Sequence, residues 1–363
     1  MSLRIFDAIA DAAEWHRLLE ALPPSMQDVY FYPEYVALHR FIAGTRALLF
    51  AYQRGDGACW LYPFLLQPIE GMKDRDSAPT VWFDIETPYG YGGPLANTDS
   101  AEFLAEAHTA FSAWCSEQKV VAEFIRLHPL LQNERWLDSE IEVIYDRETV
   151  SLALTNFNAL SREALPFDKM ARYMLRRAER AGVRVERREP RADFDKFVAL
   201  YRETMRRLAA DEYYFFDEEY FRGLRELVAE SGWLLAATHD EEWVAAALFL
   251  KGTGYLHYHL SATKQEPRLP GATNLLLYTA AQMGSRFDSL TTLHLGGGTT
   301  SQLEDSLLKF KRSMGNQAHA FHIGKRVHHP AMYASLRATW ERTFPTLVAE
   351  HGRKLLCYRF TKR

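Results

Sequence analysis

The residues best able to do chemistry lie in "LHLGGGTTSQLEDSLLKFKRSMG", Leu293 to Gly315. A phosphate-binding loop needs Gly, four residues, then Gly-Lys-Ser/Thr, so that backbone N–H groups wrap the phosphates and the lysine reaches them. Here Gly296, Gly297 and Gly298 lead into Thr299, Thr300 and Ser301, and no Gly-Lys pair follows. A dinucleotide fingerprint fails too, because Ser301 stands where its third glycine is needed. What remains is a strand that turns on glycines into a helix, with Thr, Ser or Asp available as its cap. On that helix Lys311 falls roughly 40° from Leu307. Its stem then lies beside an apolar stripe of Leu303, Leu307, Phe310 and Met314. The ammonium would extend into a cleft, or else snorkel to the surface.

Two further groups invite a chemical reading. His257 and His259 in "LHYHLSAT" share one strand face, with Tyr258 on the other. An i, i+2 histidine pair can chelate, but no third ligand stands at a diagnostic spacing, so no metal site is expected. The run "KMARYMLRRAERAGVRVERREPR", Lys169 to Arg191, holds nine basic and three acidic residues. Arg176, Arg177 and Arg180 fall on a helix closed by Gly182. Such a run suits phosphates, whether of tRNA, CoA, a nucleotide sugar or a lipid diphosphate, or it is a solvated helix face.

The elements that must position these residues follow from pattern. A chain of 363 residues favours two domains, and 47% hydrophobic with 25% charged residues is ordinary globular composition. A net charge of −4 and a pI near 6.4 argue against a global basic field, so no DNA partner is expected. Cys59, Cys115 and Cys357 lack CxxC spacing, which fits a reducing compartment. The N-terminus carries Asp and Glu inside its apolar pattern and reads as a helix-bearing start without a signal peptide. No apolar run reaches membrane-spanning length. A cytoplasmic location is the expectation.

"RALLFAYQRGDGACWLYPFLLQPI" predicts a β-hairpin around Gly55-Asp56-Gly57. "AEFLAEAHTAFSAWCSEQ" predicts a helix, and "VVAEFIRLHPL" a strand stopped by Pro129. A second series begins near Thr149, with helices in "DFDKFVALYRETMRRLAA" and in "EEYFRGLRELVAESG", the latter ending on a glycine. A meander follows, with turns at His239–Glu242 and Gly252–Gly254, then helix, strand and helix. The order points to an α+β fold with helices packed on a central sheet.

At four places, "YGYGGPL", "YMLRRAERAGVRVE", "LHYHLSAT" with "PGATNLLLYTAAQ", and the opening stretch, the chain resembles the Fem-type aminoacyltransferases of the broad GNAT-like N-acyltransferase superfamily. The resemblance spans about Tyr89 to Gly315 and implies tandem GNAT-like domains, each a mixed sheet flanked by helices. Residues 1–150 would be the acceptor-binding domain and 151–327 the catalytic one, with the tail 328–363 packing back on the first. Members of this superfamily move an acyl group onto an amine. The Fem branch draws an amino acid from aminoacyl-tRNA and adds it to a peptidoglycan precursor peptide, whereas other branches use acyl-CoA. No tightly bound cofactor is implied, only a co-substrate.

The resemblance also suggests roles. Phe310-Lys311 matches the family's Phe-Lys pair, whose lysine steadies the acyl carbonyl. His128 stands where the family has a carboxylate, and it would serve as base near neutral pH or only cap its strand. Tyr258 would hydrogen-bond the acceptor. Arg206 and Arg207, with Tyr213 and Tyr214, fall where acceptor-facing residues are expected, as do Tyr89 and Tyr91 of the aromatic loop. Of His39-Arg40, only Arg40 keeps the charge of a family lysine that contacts a diphosphate. "RLPGATN" is a near match to the GNAT pyrophosphate loop, which makes Arg268, Gly271 and Asn274 donor-binding candidates beside Arg176, Arg177 and Arg180. The leading expectation is aminoacyl transfer to an amine of a cell-envelope precursor or related metabolite, with charged tRNA as partner. The alternatives are acyl-CoA-dependent transfer to an amino sugar or lipid-linked glycan, and a non-catalytic binding protein on the same scaffold.

Overall fold

The computed structural model describes residues 2–69, 81–266, 269–302 and 304–361, with Tyr213 as backbone. In chain order the first elements are β1 (Ser2–Asp7), α1 (Ala12–Glu20), α2 (Pro33–Ala37), β2 (Arg46–Gln53), β3 (Cys59–Pro68), β4 (Phe83–Glu86), β5 (Leu95–Ala96), α3 (Ala101–Glu117) and β6 (Val120–Arg126). Next come β7 (Glu142–Ala153), α4 (Lys169–Arg180), β8 (Arg184–Arg188), α5 (Pro190–Arg207), α6 (Glu218–Ser231), β9 (Gly232–His239), β10 (Glu242–Lys251) and β11 (Tyr255–Thr263). The chain finishes with α7 (Ala272–Gly284), β12 (Thr292–Gly297), α8 (Ser306–Met314), β13 (Gln317–Val327), α9 (Pro330–Thr343) and α10 (Val348–His351). Among the described residues no helix is long and apolar enough to cross a membrane.

Two compact units result. One comprises Met1–Pro23, Tyr30–Tyr145 and His322–Arg363; the other comprises Pro24–Val29 and Asp146–Phe321. Each is a mixed sheet flanked by helices, the α+β architecture expected of it.

In the first unit β1, β2, β3 and β4 pair antiparallel in that order, β4 pairs parallel with β6, and β6 pairs antiparallel with the later half of β13. The predicted hairpin is β2–β3, with Arg46 opposite Leu66. Helix α3 starts on the Ser100 side chain, which accepts from Phe103 N–H, and buries Phe103, Ala107, Phe111 and Trp114. The tail finds its home here: Leu336 and Trp340 of α9 join Leu347, Leu356, Cys357 and Tyr358 around Val121 and Ala122. Its last turn is tied down by Asp84, a fully buried carboxylate that accepts from the Tyr358 hydroxyl and from Arg359 Nε, each at 2.8 Å. Asp84→Ala would leave Arg359 without its ion-pair partner, and we expect a loss of about 3 kcal/mol in stability. Denaturant unfolding, with protease sensitivity of the tail, checks it.

In the second unit β8, β9, β10 and β11 form the antiparallel meander, β11 pairs parallel with β12, and β12 pairs antiparallel with β7. One face of this sheet carries the core. Leu152, Leu235, Phe249, Leu256 and Leu293 meet Leu276, Leu277, Ala280 and Ala281 of α7 and Leu175 and Ala178 of α4. Gly232 corrects an expectation. It is extended, with φ −172°, and opens β9 instead of capping α6 in a left-handed turn. A Cβ there would strike the Phe249 carbonyl, so the residue is small because β10 lies against it.

Candidate active site

Parallel pairing of β11 and β12 runs through Tyr255–Thr292, Leu256–Leu293 and His257–His294, and stops there. Beyond this point the strands part: β11 continues along β10 to Thr263, while β12 bulges against β7 and ends at Gly297. Ligands of open α/β sheets favour such crevices beyond strand ends. Two chemistry-bearing sets flank this notch.

The first is set by α8. Asp305 caps the helix by accepting from Leu308 N–H at 2.9 Å, and it also holds Thr299 and Thr300 through their N–H and hydroxyl groups. Partial burial opposes ionisation of Asp305, but the hydrogen bonds from Thr299, Leu308 and Thr300 outweigh it and keep the carboxyl well below its ordinary range. Gly298 is required by this cap, since a Cβ there would lie 2.5 Å from Asp305 Oδ1. The glycine run therefore admits a capping carboxylate, and Gly297 makes room for the β7 backbone at Glu148.

The helix starts at Ser306, so its inner face is Leu308, Lys311 and Met314. That corrects the expected stripe: Leu307 and Phe310 are only half-buried, and Leu303 lies outside the described residues. Lys311 itself points inward. It is 8% exposed, and its Nζ donates to the Gly297 carbonyl at 2.7 Å and stands 5.9 Å from the centre of the Tyr258 ring. Burial pulls the ammonium down from 10.5 to about 7; Asp305 opposes the shift and Arg147 adds to it. Burial likewise lifts the Tyr258 hydroxyl to about 12, against a hydrogen bond with Ser261.

The second set was not anticipated. Register places His257, His294 and Ser151 side by side across β11, β12 and β7, on the face away from the apolar core. His257 Nε2 lies 2.8 Å from Asp28 Oδ2, and His257 Nδ1 lies 3.3 Å from His294 Nδ1. Each of these three side chains is at most 1% exposed. Asp28 is delivered by the short segment Pro24–Val29, where Gln27 O accepts from Thr253 N–H at 3.0 Å. Gly252 permits that approach, because a Cβ there would sit 2.9 Å from Asp28 Cα. Histidines inside the apolar strands "YLHYHL" and "TLHL" are the only sequence signal for this set, since buried polar groups need partners. Nothing in "MQDVYFY" marks Asp28.

On the expected donor side, Arg176, Arg177 and Arg180 are exposed on α4. None of their side chains has an ion pair or hydrogen bond among the described residues. The left-handed Gly182, φ +80°, ends that helix as expected. Gly271, φ +94°, is the N-cap of α7 and packs so tightly on α4 that a Cβ would strike the Met174 carbonyl. Gly271→Ala therefore meets both a positive φ and a backbone clash, and we expect a loss of about 2–4 kcal/mol, read as a lower Tm. Asn274 is buried, with its amide 3.2 Å from Met314 Sδ, so its side chain serves the core and not the loop. Arg268 lies outside the described residues.

Of the acceptor-side candidates in this unit, Arg206 is exposed at the end of α5, while Arg207 donates to Thr263 Oγ1 at 2.8 Å. The Tyr214 carbonyl accepts from the Tyr201 hydroxyl at 3.0 Å. The Tyr213 side chain is not described. In the first unit His128 is fully buried. Its ring stacks on Phe31 at 5.8 Å and meets Tyr91 and Tyr30 edge-on at 5.7 and 6.3 Å, while its backbone N–H donates to Asn133 Oδ1 at 2.8 Å. The imidazole is thus packed among aromatic rings. The Tyr89 carbonyl accepts from the Tyr35 hydroxyl at 2.7 Å. Arg40 is exposed and donates to Ala37 O, whereas its neighbour His39 is buried and held neutral, its pKa pushed down to about 3 by burial.

Comparison with known proteins bears on this geometry. Residues 167–312, which carry both α4 and Lys311, match the family model described as an acetyltransferase (GNAT) domain. Among solved structures the chain is similar to FemX, at 16% identity and a TM-score of 0.66 over 92% of this chain and 99% of that one. It is also similar to the C-terminal domain of a putative lysylphosphatidylglycerol synthetase from Agrobacterium fabrum, at 13% identity and a TM-score of 0.54 over 91% and 97%. A tandem GNAT protein from the clavulanic acid biosynthesis pathway matches at 10% identity and a TM-score of 0.50 over 91% and 99%. No curated protein matches by sequence. The fold is thus the tandem GNAT-like one that the sequence resemblance implied.

Proposed function

From a chain whose residues 167–312 carry a GNAT-type N-acyltransferase domain, we propose that the protein transfers an aminoacyl group from aminoacyl-tRNA to an amine of a cell-envelope precursor or related metabolite. The observation that carries this reading is Lys311, a buried ammonium at the mouth of the notch. Attack of an amine on an ester passes through a tetrahedral oxyanion, and a preorganised donor in a water-poor site is the strongest means of stabilising it. An ammonium has three N–H donors. One is given to Gly297, and the other two can turn to the oxyanion. Tyr258, held protonated, supplies a further donor beside it. The unpaired cations of α4 suit the donor's phosphates.

A second reading, acyl-CoA as donor and an amino sugar or lipid-linked glycan as acceptor, is favoured by one observation. Helix α7 begins on Gly271 with no side-chain cap, and an uncapped helix N-terminus is a ready anion site for a pyrophosphate. The test is donor discrimination: the purified chain is challenged in parallel with charged bulk tRNA and a panel of acyl-CoAs, reading thermal protection and slow donor hydrolysis. Response to charged tRNA alone supports the first reading. Response to acyl-CoA alone overturns it in favour of the second, and response to neither overturns both.

A further inference from the structure

We infer that Asp28, His257 and His294 form the proton-accepting relay of this site, with His294 Nε2 as the atom that takes the proton from the attacking amine. The inference rests on the acyl-transfer reading above. Ionised Asp28 can only accept, so the proton on its 2.8 Å contact belongs to His257 Nε2. In the resting state we propose, with Asp28 a carboxylate and His257 a neutral imidazole, His257 Nδ1 is bare and the 3.3 Å contact is a hydrogen bond donated by His294 Nδ1. His294 is thereby fixed with its hydrogen on Nδ1 and its basic lone pair on Nε2. One carboxylate, acting through one imidazole, selects the tautomer of a second.

Position supports the role. His257 and His294 are the last paired residues before β11 and β12 part, so the relay sits at the apex of the notch. Gly297, the carbonyl partner of Lys311, lies three residues beyond His294 on the same strand, and Tyr258 directly follows His257. Lys311 stands on α8 and Tyr258 on the core face of β11, so the oxyanion donors and the relay approach the notch from opposite faces of the sheet.

The amine nitrogen forms a bond to the acyl carbon, and the resulting ammonium passes a proton to His294 Nε2. His294 Nδ1–H moves to His257 Nδ1, and the imidazolium so formed is held against Asp28. The tetrahedral intermediate collapses with cleavage of the bond from carbon to the donor's oxygen or sulfur, and the relay returns its proton to that leaving atom. His294 is the catalytic residue; His257 and Asp28 position it and share its charge.

Two measurements test this. Imidazole nitrogen NMR of the full chain at neutral pH should find His257 protonated on Nε2 and His294 on Nδ1. A hydrogen on His294 Nε2 overturns the relay, and so does a stoichiometric divalent ion bound through His257 Nε2, because a ligated nitrogen carries no proton. In turnover with the donor identified above, His294→Gln and Asp28→Asn should each lower kcat about 10²-fold with the donor KM unchanged, and added imidazole should restore turnover to His294→Ala. A His294→Gln enzyme with the wild-type kcat overturns the relay and leaves the acyl-transfer reading standing. A wild-type chain inert toward both donor classes overturns that reading, and the relay's role with it. The NMR arm needs no variant, so a substitution that fails to fold does not shield the inference.

Discussion

Lys311→Met is expected to lower kcat by about 10²–10³-fold, the usual cost of removing a preorganised oxyanion donor, while the chain stays folded. The same variant should be more stable than the wild type. Burying a charged lysine costs free energy, and Met fills the same volume without it. The sign follows from the shift to about 7 from 10.5. Below pH 7 both folded and unfolded wild type hold the proton, so the penalty is complete. Between about 7 and 10.5 the unfolded chain binds more protons than the folded one, and wild-type stability rises with pH. The advantage of Lys311→Met should therefore be largest at pH 6 and shrink by several kcal/mol, on the order of 3–5, toward pH 10. Activity runs the other way, because the oxyanion needs the ammonium: wild-type turnover should decline as pH rises through about 7. Denaturant melts across pH, paired with single-turnover rates, read both curves. A Lys311→Met chain that turns over normally removes Lys311 from the mechanism.

Reversing Arg176, Arg177 and Arg180 together to Glu should weaken charged-tRNA binding about 10²–10³-fold at 0.1 M salt and flatten its salt dependence. The physical ground is that these cations are uncompensated. Neighbouring Arg162 pairs with Glu179, and Arg191 pairs with Glu226 and Glu230, yet the three on the outer face of α4 have no carboxylate partner among the described residues. Since their side chains lie in solvent while Ala171, Leu175 and Ala178 hold the helix to the core, Tm should move by less than 1–2 °C on the scale of a surface substitution. Filter binding over a salt series checks the effect. Unchanged affinity and slope would make α4 a solvated face.

Much of the fold was legible because it is local. The hairpin β2–β3 is written in two apolar runs around Gly55-Asp56-Gly57, the meander β9–β11 in its turns, and α4 in the alternation of small apolar and basic residues up to Gly182. Each depends on contacts between residues close in sequence, where propensity and periodicity act directly. The candidate site was legible only in part. Lys311 could be picked out by its place in a glycine-led helix, but its inward aim depended on where α8 begins, and that was decided by the Asp305 cap at Ser306. A start displaced by one or two residues changes which side of a helix is buried, and helix ends are the least determined feature of a pattern.

By itself, then, the sequence determined the α+β element order, the likeness to a Fem-type scaffold, the basic helix and the identity of the lysine. Only the tertiary structure decided that the lysine is buried, that the tail docks on Asp84, and that Asp28 meets His257 across 229 residues of chain and His257 meets His294 across 37. These last contacts depend on strand register and on one glycine that lets a distant segment approach. Neither leaves a period in the sequence, because the residues concerned are neighbours only after the chain has closed its long loops.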